Sequence, residues 1–477
     1  MPLRTHWILA ATLTLLPNAA RSQSLPQSLP QSLPQSLPQS LPHAPGARIV
    51  TVTPAGISAS EPSIAINQYS PNQIAVTAGG GLLAYSTDSA RTFTTVNPAG
   101  EGGKTGGDPS MTFDDRGNLY FSYLAFSKLG TSSYWGHGAS DNGVWVVRSP
   151  DGGKTWKKPV GVKTWTGKES NIKFEDMPRI WADQNAKSPH RGNLYYTWIE
   201  WGLENSIVLY SRSTDQGATW SNPQRISTIA GYPRDDNGSV VGIIGTVAPD
   251  GTLYVVWNQG LNITLAISKD GGATFAPSKP IIDVGPPYFG GTGGVPGVAR
   301  TMGFPQISLD RKSGELYVTW SDFRNGDVDV FISRSADHGK TWTHAMRVND
   351  DPIHDGNDQF FQWMAVDPVN GDVYVQFYDR RDDPANRNTR LTLARSTDGG
   401  KTFRNYDWSD RSFAGENASL GDYMWMVAYD GRVYGVWAEA APDGYELNRA
   451  PGQAAPTVKR TPTIFRVGTA DFRGATP

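Results

Sequence analysis

The side chains of this chain that can do acid–base or anion-binding chemistry stand at the two ends of short apolar runs. Ahead of such runs lie Glu61, Asp108, Asp176 with Arg179, Arg300, Asp358 with Gln359, and Asp422 with Tyr423. Behind the runs that follow lie Glu200, Asp322 with Arg324, Asp379 with Arg380 and Arg381, and Glu439. Carboxylates in pairs move protons, and guanidinium groups clamp a carboxylate or phosphate bidentately. A funnel lined by both is the default place for a polar substrate. The same residues also serve as turn caps and ion-pair partners between elements. Other chemistries are excluded outright. The 477 residues contain no Cys, which removes disulfides, thiolate metal sites and Cys nucleophiles. With 43 Lys+Arg against 45 Asp+Glu, the chain has no charge footprint for nucleic acid and no polybasic patch for a membrane.

The elements that must position these groups are strands. Gly (52) and Pro (34) are abundant, aromatics are many and only 18% of residues are charged, which points to an all-β, turn-rich fold. An eight-residue box, Ser-x-Asp-x-Gly-x-Thr-(Trp/Phe), starts at Ser149, Ser213, Ser268, Ser335 and Ser396. A sixth copy starts at Ser86, with Ala90 in place of the Gly. A second pattern, Gly-x-(Leu/Val)-Tyr leading into a strand, recurs at Gly117, Gly192, Gly251, Gly314, Gly371 and Gly431. A period near 62 residues filled with short strands and turns predicts a β-propeller. Each repeat reads as four strands, with the box joining the third to the fourth. Six boxes but seven first-and-second strand pairs predict seven blades, six being the alternative. The seventh box is expected in degraded form around Asn448–Gly452, and Ile49–Val52 as the outer strand that closes the ring. Inside the box the Asp carboxylate accepts turn amides, so Asp88, Asp151, Asp215, Asp270, Asp337 and Asp398 read as structural.

Ahead of the repeats, Arg4 followed by the apolar run Trp7–Leu16 and Ala20-Arg21-Ser22 reads as a secretory signal over residues 1–22, cleaved near Gln23. Residues 23–46 begin with five copies of Gln-Ser-Leu-Pro, whose Pro every fourth residue predicts an extended or disordered tether. Residues 47–477 are then one propeller domain, expected as a monomer outside the cytoplasm, extracellular or periplasmic.

The boxes Ser149–Trp156 and Ser396–Phe403 resemble the Asp boxes of the sialidase (neuraminidase) superfamily, and the likeness covers roughly residues 60–440. It implies a sialidase-like glycoside hydrolase acting on an acidic glycan, with no cofactor. Gly421-Asp422-Tyr423 is similar to the segment that carries the sialidase nucleophile, which implies Tyr423 as nucleophile. Glu200, Asp176 and Asp108 are eligible as acid or base. Arg387 and Arg390 resemble the arginine placed ahead of a late box, with Arg179 and Arg300 completing a clamp and Asp422 beside it. The chain departs from the family in lacking a Phe/Tyr-Arg-Ile-Pro opening before its first box.

Two other readings use the same face. A polysaccharide lyase would draw on Tyr134, His137, His354 and Tyr288 to abstract a proton beside a uronate carboxylate. A non-catalytic propeller would bind carbohydrate or protein there. Asn349–Asp351 and Asp355–Asp358 offer hard oxygen ligands for a structural Ca²⁺. Asn237, Asn262 and Asn417 lie in glycosylation sequons.

Overall fold

Strands buried on both faces read as continuous apolar runs, and the second strand of each repeat is such a run. Leu194–Trp201 and Val373–Asp379 are buried along their whole length. The position that follows the Leu-Tyr pair by three is aromatic in blade after blade. Trp198, Trp257, Trp320 and Trp437 occupy it, all fully buried. Each such side chain contributes roughly 1.5–3 kcal/mol by leaving water, and together they form layers that seat one blade on the next.

A computed structural model describes residues 40–475, other than 80, 98–104, 132, 168, 170, 237, 286–293, 299, 415, 417 and 449–460. The signal segment and most of the tether lie outside the described residues. The fold is all-β, with no helix among the described residues. Seven antiparallel sheets follow one another, their main strands spanning 63–96, 105–165, 174–225, 240–283, 306–347, 359–407 and 425–471; each has four strands, and Phe413–Ala414 adds a fifth to the sixth. Outer strands are short in places, as at Gln224–Arg225 and Met346–Arg347.

The seventh blade takes its outer strand from the start of the domain. Arg48–Thr51 pairs antiparallel with Thr463–Asp471, Arg48 opposite Thr469 and Thr51 opposite Arg466. The blade's third strand is therefore Thr463–Asp471, and the place of a seventh box follows Asp471. The expected degraded box at 448–452 is corrected by this: the segment precedes the third strand, and 449–452 lie outside the described residues.

The six boxes fold alike. In the first, Asp88 Oδ1 accepts the amides of Arg91 (2.9 Å) and Thr92 (3.0 Å), and Oδ2 accepts the Thr92 hydroxyl (2.7 Å). Against the cost of burial, these bonds and the Ser86 hydroxyl hold the carboxyl down at about 2. Asp151, Asp215, Asp270, Asp337 and Asp398 are held low in the same way. The turn needs two successive left-handed residues. Gly152 and Gly153 supply them in the second box (φ 75° and 112°), whereas Ser89 and Ala90 are forced there in the first (φ 61° and 59°). Ser89→Gly is expected to stabilise the protein by about 1 kcal/mol, since an L side chain in that region costs roughly that much. Thermal melting checks it, and an unchanged or lower melting temperature would refute it.

The innermost strands carry the feature that builds the site. Their pairing with the second strands slips between Gly107 and Ser110, Asp176 and Arg179, Val241 and Ile244, and Phe360 and Trp363. Each slip holds one left-handed residue: Asp108 (φ 48°), Met177 (48°), Gly242 (67°) and Phe361 (53°). Such bulges bend a strand and re-aim its side chains. Here they tip the starts of the inner strands over one end of the propeller axis.

Candidate active site

At that end Glu61, Asp108, Asp176, Asp235, Arg300 and Asp422 line a cavity of about 220 Å³, with Trp135, Phe174 and Met177 as apolar walls. The acidic side chains come from the lead-ins of blades one, two, three, four and seven, and Arg300 from that of blade five. Glu61, like Asp108, sits in left-handed backbone (φ 56°). Strain of this kind in non-glycine residues collects where function demands a fixed side-chain direction.

Arg300 ties two of the acids together, its Nη2 reaching Asp235 Oδ2 at 2.7 Å and Asp422 Oδ2 at 3.1 Å. Asp235 is anchored through its own amide to the Ser133 carbonyl (2.9 Å), which joins the loops of blades two and four. Asp176 accepts the Trp201 indole N–H at 2.9 Å and hydrogen-bonds to Asp108. Asp108 Oδ1 also accepts the Tyr423 hydroxyl at 3.2 Å, and its amide points to Glu61 Oε2 at 3.4 Å. Arg179 lies flat over the Tyr423 ring at 4.1 Å and over Trp425 at 5.6 Å, with Nη1 at 3.5 Å from the Tyr423 hydroxyl. This layer meets the cavity lining through Asp108.

Burial and mutual repulsion decide the protonation of the cluster. Burial, then the charges of Asp108 and Asp422, push Glu61 up to about 8. Burial, with Asp108 alongside, pushes Asp176 well above the usual carboxylate range. Asp422 is pushed up by burial and held back by Arg300, ending at about 6. Asp235 is raised as well, burial outweighing its ion pair with Arg300. Tyr423 is driven well above the ordinary phenol range, by burial first and by Asp108 and Glu61 against the pull of Arg179.

These shifts carry a stability signature. A carboxyl with a raised folded pKa binds its proton more tightly in the folded state. Its contribution is therefore complete below about 4.5, the unfolded value, and is lost as pH rises through the folded one. The melting temperature is expected to fall from pH 5 towards pH 9, through about 6 for Asp422 and about 8 for Glu61. Glu61→Gln, which keeps shape and removes the charge, should flatten the upper part of that slope. A slope identical in the variant would refute the assignment to Glu61.

Of the residues singled out in the sequence, the structure brings together Asp176, Arg179, Arg300, Asp422 and Tyr423, along with Glu61 and Asp108. It places the others elsewhere. Glu200, opposite Glu175 on the next strand, is paired with Lys173 and does not line the cavity. Arg390 pairs with Asp407 on the outer strand of blade six (2.6 Å), and Arg387 meets Glu416 at the surface (3.4 Å). Neither reaches the axis, because both lie on the third strand or its approach, far out along the blade. Asp322 is taken by Arg324, Asp379 by Arg381, and Glu439 by Arg411 and Arg466. Asp350 and Asp351, proposed for Ca²⁺, are instead neutralised by Arg381. Among the described residues no group of three His, Asp or Glu side chains is placed to hold a metal ion. Tyr134 and His137 meet with tilted rings, centroids 5.1 Å apart, on either side of the lining residue Trp135, His354 bonds to the Asn325 carbonyl, and Tyr288 lies outside the described residues. Of the sequons, only Asn262 is described; it opens a strand, and Asn237 and Asn417 lie outside the described residues. Asp235 and Trp135 were missed in the sequence. The signal for Asp235 was its place, the lead-in of blade four, matching that of Asp108, Asp176 and Asp422.

No family model matches the chain. The xyloglucanase Xgh74A of Acetivibrio thermocellus is 25% identical over 286 residues, which cover 55% of this chain but 29% of that enzyme. Among solved structures, a Hadza microbial sialidase aligns with a TM-score of 0.46 and 15% identity, over 85% of this chain and 74% of its own. The α-L-arabinofuranosidase of Fusarium graminearum aligns at 0.46 and 14%, over 77% and 93%. An ulvan lyase aligns at 0.46 and 12%, over 82% and 93%. By its own sheet order and boxes the chain is a seven-bladed Asp-box β-propeller.

Proposed function

We propose that this protein is a glycoside hydrolase that removes a single, uncharged terminal sugar from a glycan. The observation that carries this is the Asp176 carboxyl, hydrogen-bonded to Asp108 and pushed well above the usual carboxylate range by burial and then by that neighbour, on a cavity of about 220 Å³. That volume is below the roughly 300–1,000 Å³ typical of sites for larger ligands and suits one sugar ring. In this reading Asp176 is the general acid that protonates the glycosidic oxygen. Asp108 touches Asp176, too close for the two to flank a scissile bond, whose carboxylates stand about 5 Å or more apart. Asp108 therefore shares the acid's proton, and Tyr423 positions it through its hydroxyl. Asp422, charged above about 6 and oriented by Arg300, is the carboxylate facing the anomeric carbon.

The uncharged substrate follows from the balance of charge. Five acidic side chains surround the cavity, and the one guanidinium among its lining residues, Arg300, is engaged by Asp235 and Asp422; Arg179, outside the lining, is packed over the Tyr423 and Trp425 rings. An anionic sugar would find no free clamp. A sialoside-cleaving reading retains one specific support, the Tyr423–Asp108 contact with Arg179 above it. Aryl glycosides of neutral sugars, run beside a fluorogenic sialoside, separate the two. Release from a neutral glycoside supports the proposal. Release from the sialoside that collapses in Tyr423→Phe would replace it, and release from neither would leave a binding propeller. We also propose that the protein is exported, so the mature N-terminus should be found near Gln23 by N-terminal sequencing.

A further inference from the structure

Glu61 lines the acidic cavity, yet it neither protonates the leaving group nor faces the anomeric carbon in the mechanism above. It opens blade one at the seam of the ring, and glycines on three segments close around it. A Cβ on Gly79 or on Gly107 would meet its Oε2 at 3.4 Å. One on Gly421 would press on its backbone nitrogen at 2.6 Å and its Cγ at 2.9 Å, closer than side chains tolerate. The carboxyl is thus seated between blades one, two and seven. Its Oε2 receives the Asp108 amide at 3.4 Å, and Oε1 bonds to no group among the described residues. Oε1 is not among the polar atoms shut away from solvent, so it opens on the cavity.

Arg300, the one basic side chain on that cavity, is taken by Asp235 and Asp422. Glu61 therefore has no counter-ion, and it stands among the charges of Asp108 and Asp422, with the Tyr423 phenol near. Burial first, then those two carboxylates against the pull of Arg300, push it up to about 8. Below that pH it can donate a hydrogen bond, which a carboxylate cannot. The other wall of the cavity is apolar, built by Leu124, Phe126, Leu129, Trp135, Phe174 and Met177 of blades two and three. Sugar hydroxyls call for neither feature, since each can give its proton to a carboxylate. An acetamido group calls for both: its carbonyl oxygen only accepts, and its methyl gains by leaving water.

We propose, resting on the hydrolase reading of this site, that the terminal sugar is an N-acetylhexosamine, its acetamido carbonyl accepting from Glu61 and its methyl resting on the apolar wall.

Calorimetric titration of the full chain with free N-acetylglucosamine and N-acetylgalactosamine, against glucose and galactose, tests this without calling on catalysis. One N-acetyl sugar is expected to bind about tenfold or more tighter than its parent hexose near pH 7. That affinity should fall about tenfold near pH 9.5, where the Glu61 charge repels the carbonyl, and should hold in Glu61→Gln, which keeps a donor at every pH. Circular dichroism checks the fold at each pH. Should the variant fail to fold, the sugar pairs and the pH dependence of the parent carry the test. Aryl N-acetylhexosaminides and aryl hexosides, run in both anomers, separate the sugar from the reaction. Preferred cleavage of hexosides, equal binding of N-acetyl and parent sugars, or an affinity unchanged by pH in the folded parent would overturn the proposal. Selective binding of the N-acetyl sugar with no cleavage would remove the hydrolase and keep the sugar. Neither binding nor cleavage would overturn both.

Discussion

Asp176→Asn is expected to lower turnover of glycosides with poor leaving groups by about 10²- to 10⁴-fold, the range contributed by a positioned general acid. The substitution is close to isosteric. The asparagine oxygen can still accept the Trp201 indole, and its NH₂ can still donate to Asp108, so the fold and the cavity are retained. What vanishes is the transferable proton. Loss should therefore depend on the leaving group: a dinitrophenyl glycoside, which departs without protonation, should lose far less than an alkyl glycoside or a natural glycan. Equal losses across that series, or no loss at all, would remove Asp176 from the role of acid. The pH profile of the parent gives a second check. Activity needs Asp422 charged and Asp176 protonated, so the acid limb should rise near 6, and the alkaline limb should lie well above the usual carboxylate range. A conservative change at Arg300 should shift the acid limb upward, because the guanidinium holds Asp422 down.

Deleting the chain through Thr53 is expected to cost about 5 kcal/mol or more, among the largest effects seen for local changes, and to leave the protein prone to aggregate. The deletion removes all of Arg48–Thr51 and with it the outer edge of blade seven. It also removes Val52, whose amide donates to the Phe465 carbonyl at 2.9 Å, and the Thr53 hydroxyl, which accepts the Phe465 amide at 2.6 Å. Thr463–Asp471 would then present a long unpaired edge, the template for pairing with other chains. A variant beginning at Leu41 is the control and should melt with the parent. Melting by circular dichroism, with light scattering, reads both. A deletion variant that melts cooperatively at the parent temperature would show that six closed blades and a three-stranded seventh suffice.

The architecture was legible because its signals are local and repeated. The box dictates a turn through its own Asp, Ser and Thr, and its spacing then fixes where each strand starts. That placement also brings Asp108, Asp176, Arg300, Asp422 and Tyr423 to one end of the axis. Spacing says which strand end a residue occupies, but not which neighbour claims its side chain. Glu200 stands at a suitable strand end, yet Lys173 takes it. Arg387 and Arg390 were placed by their distance from a box, yet a third strand lies far from the axis. The protonation of the cluster was also hidden, since Glu61 and Asp176 owe their shifts first to burial and then to carboxylates from other blades. The proposed uncharged substrate rests on that clustering, which no single motif encodes.

The strand that completes the seventh blade also fixes an order of events. Arg48–Thr51 is among the first parts of the domain to be made, and its partner Thr463–Asp471 is the last strand. Each blade can form its own hairpins as it emerges, since their contacts are near in sequence. The ring cannot close until synthesis is complete, and closure joins segments about 420 residues apart, a contact class that slows folding. Until then the chain is an open arc with two unsatisfied ends. The acidic cavity, which draws on blades one and seven at once, exists only after that last step. The cluster of raised carboxyls is thus assembled late, and a nascent or partly made chain does not hold these groups buried together.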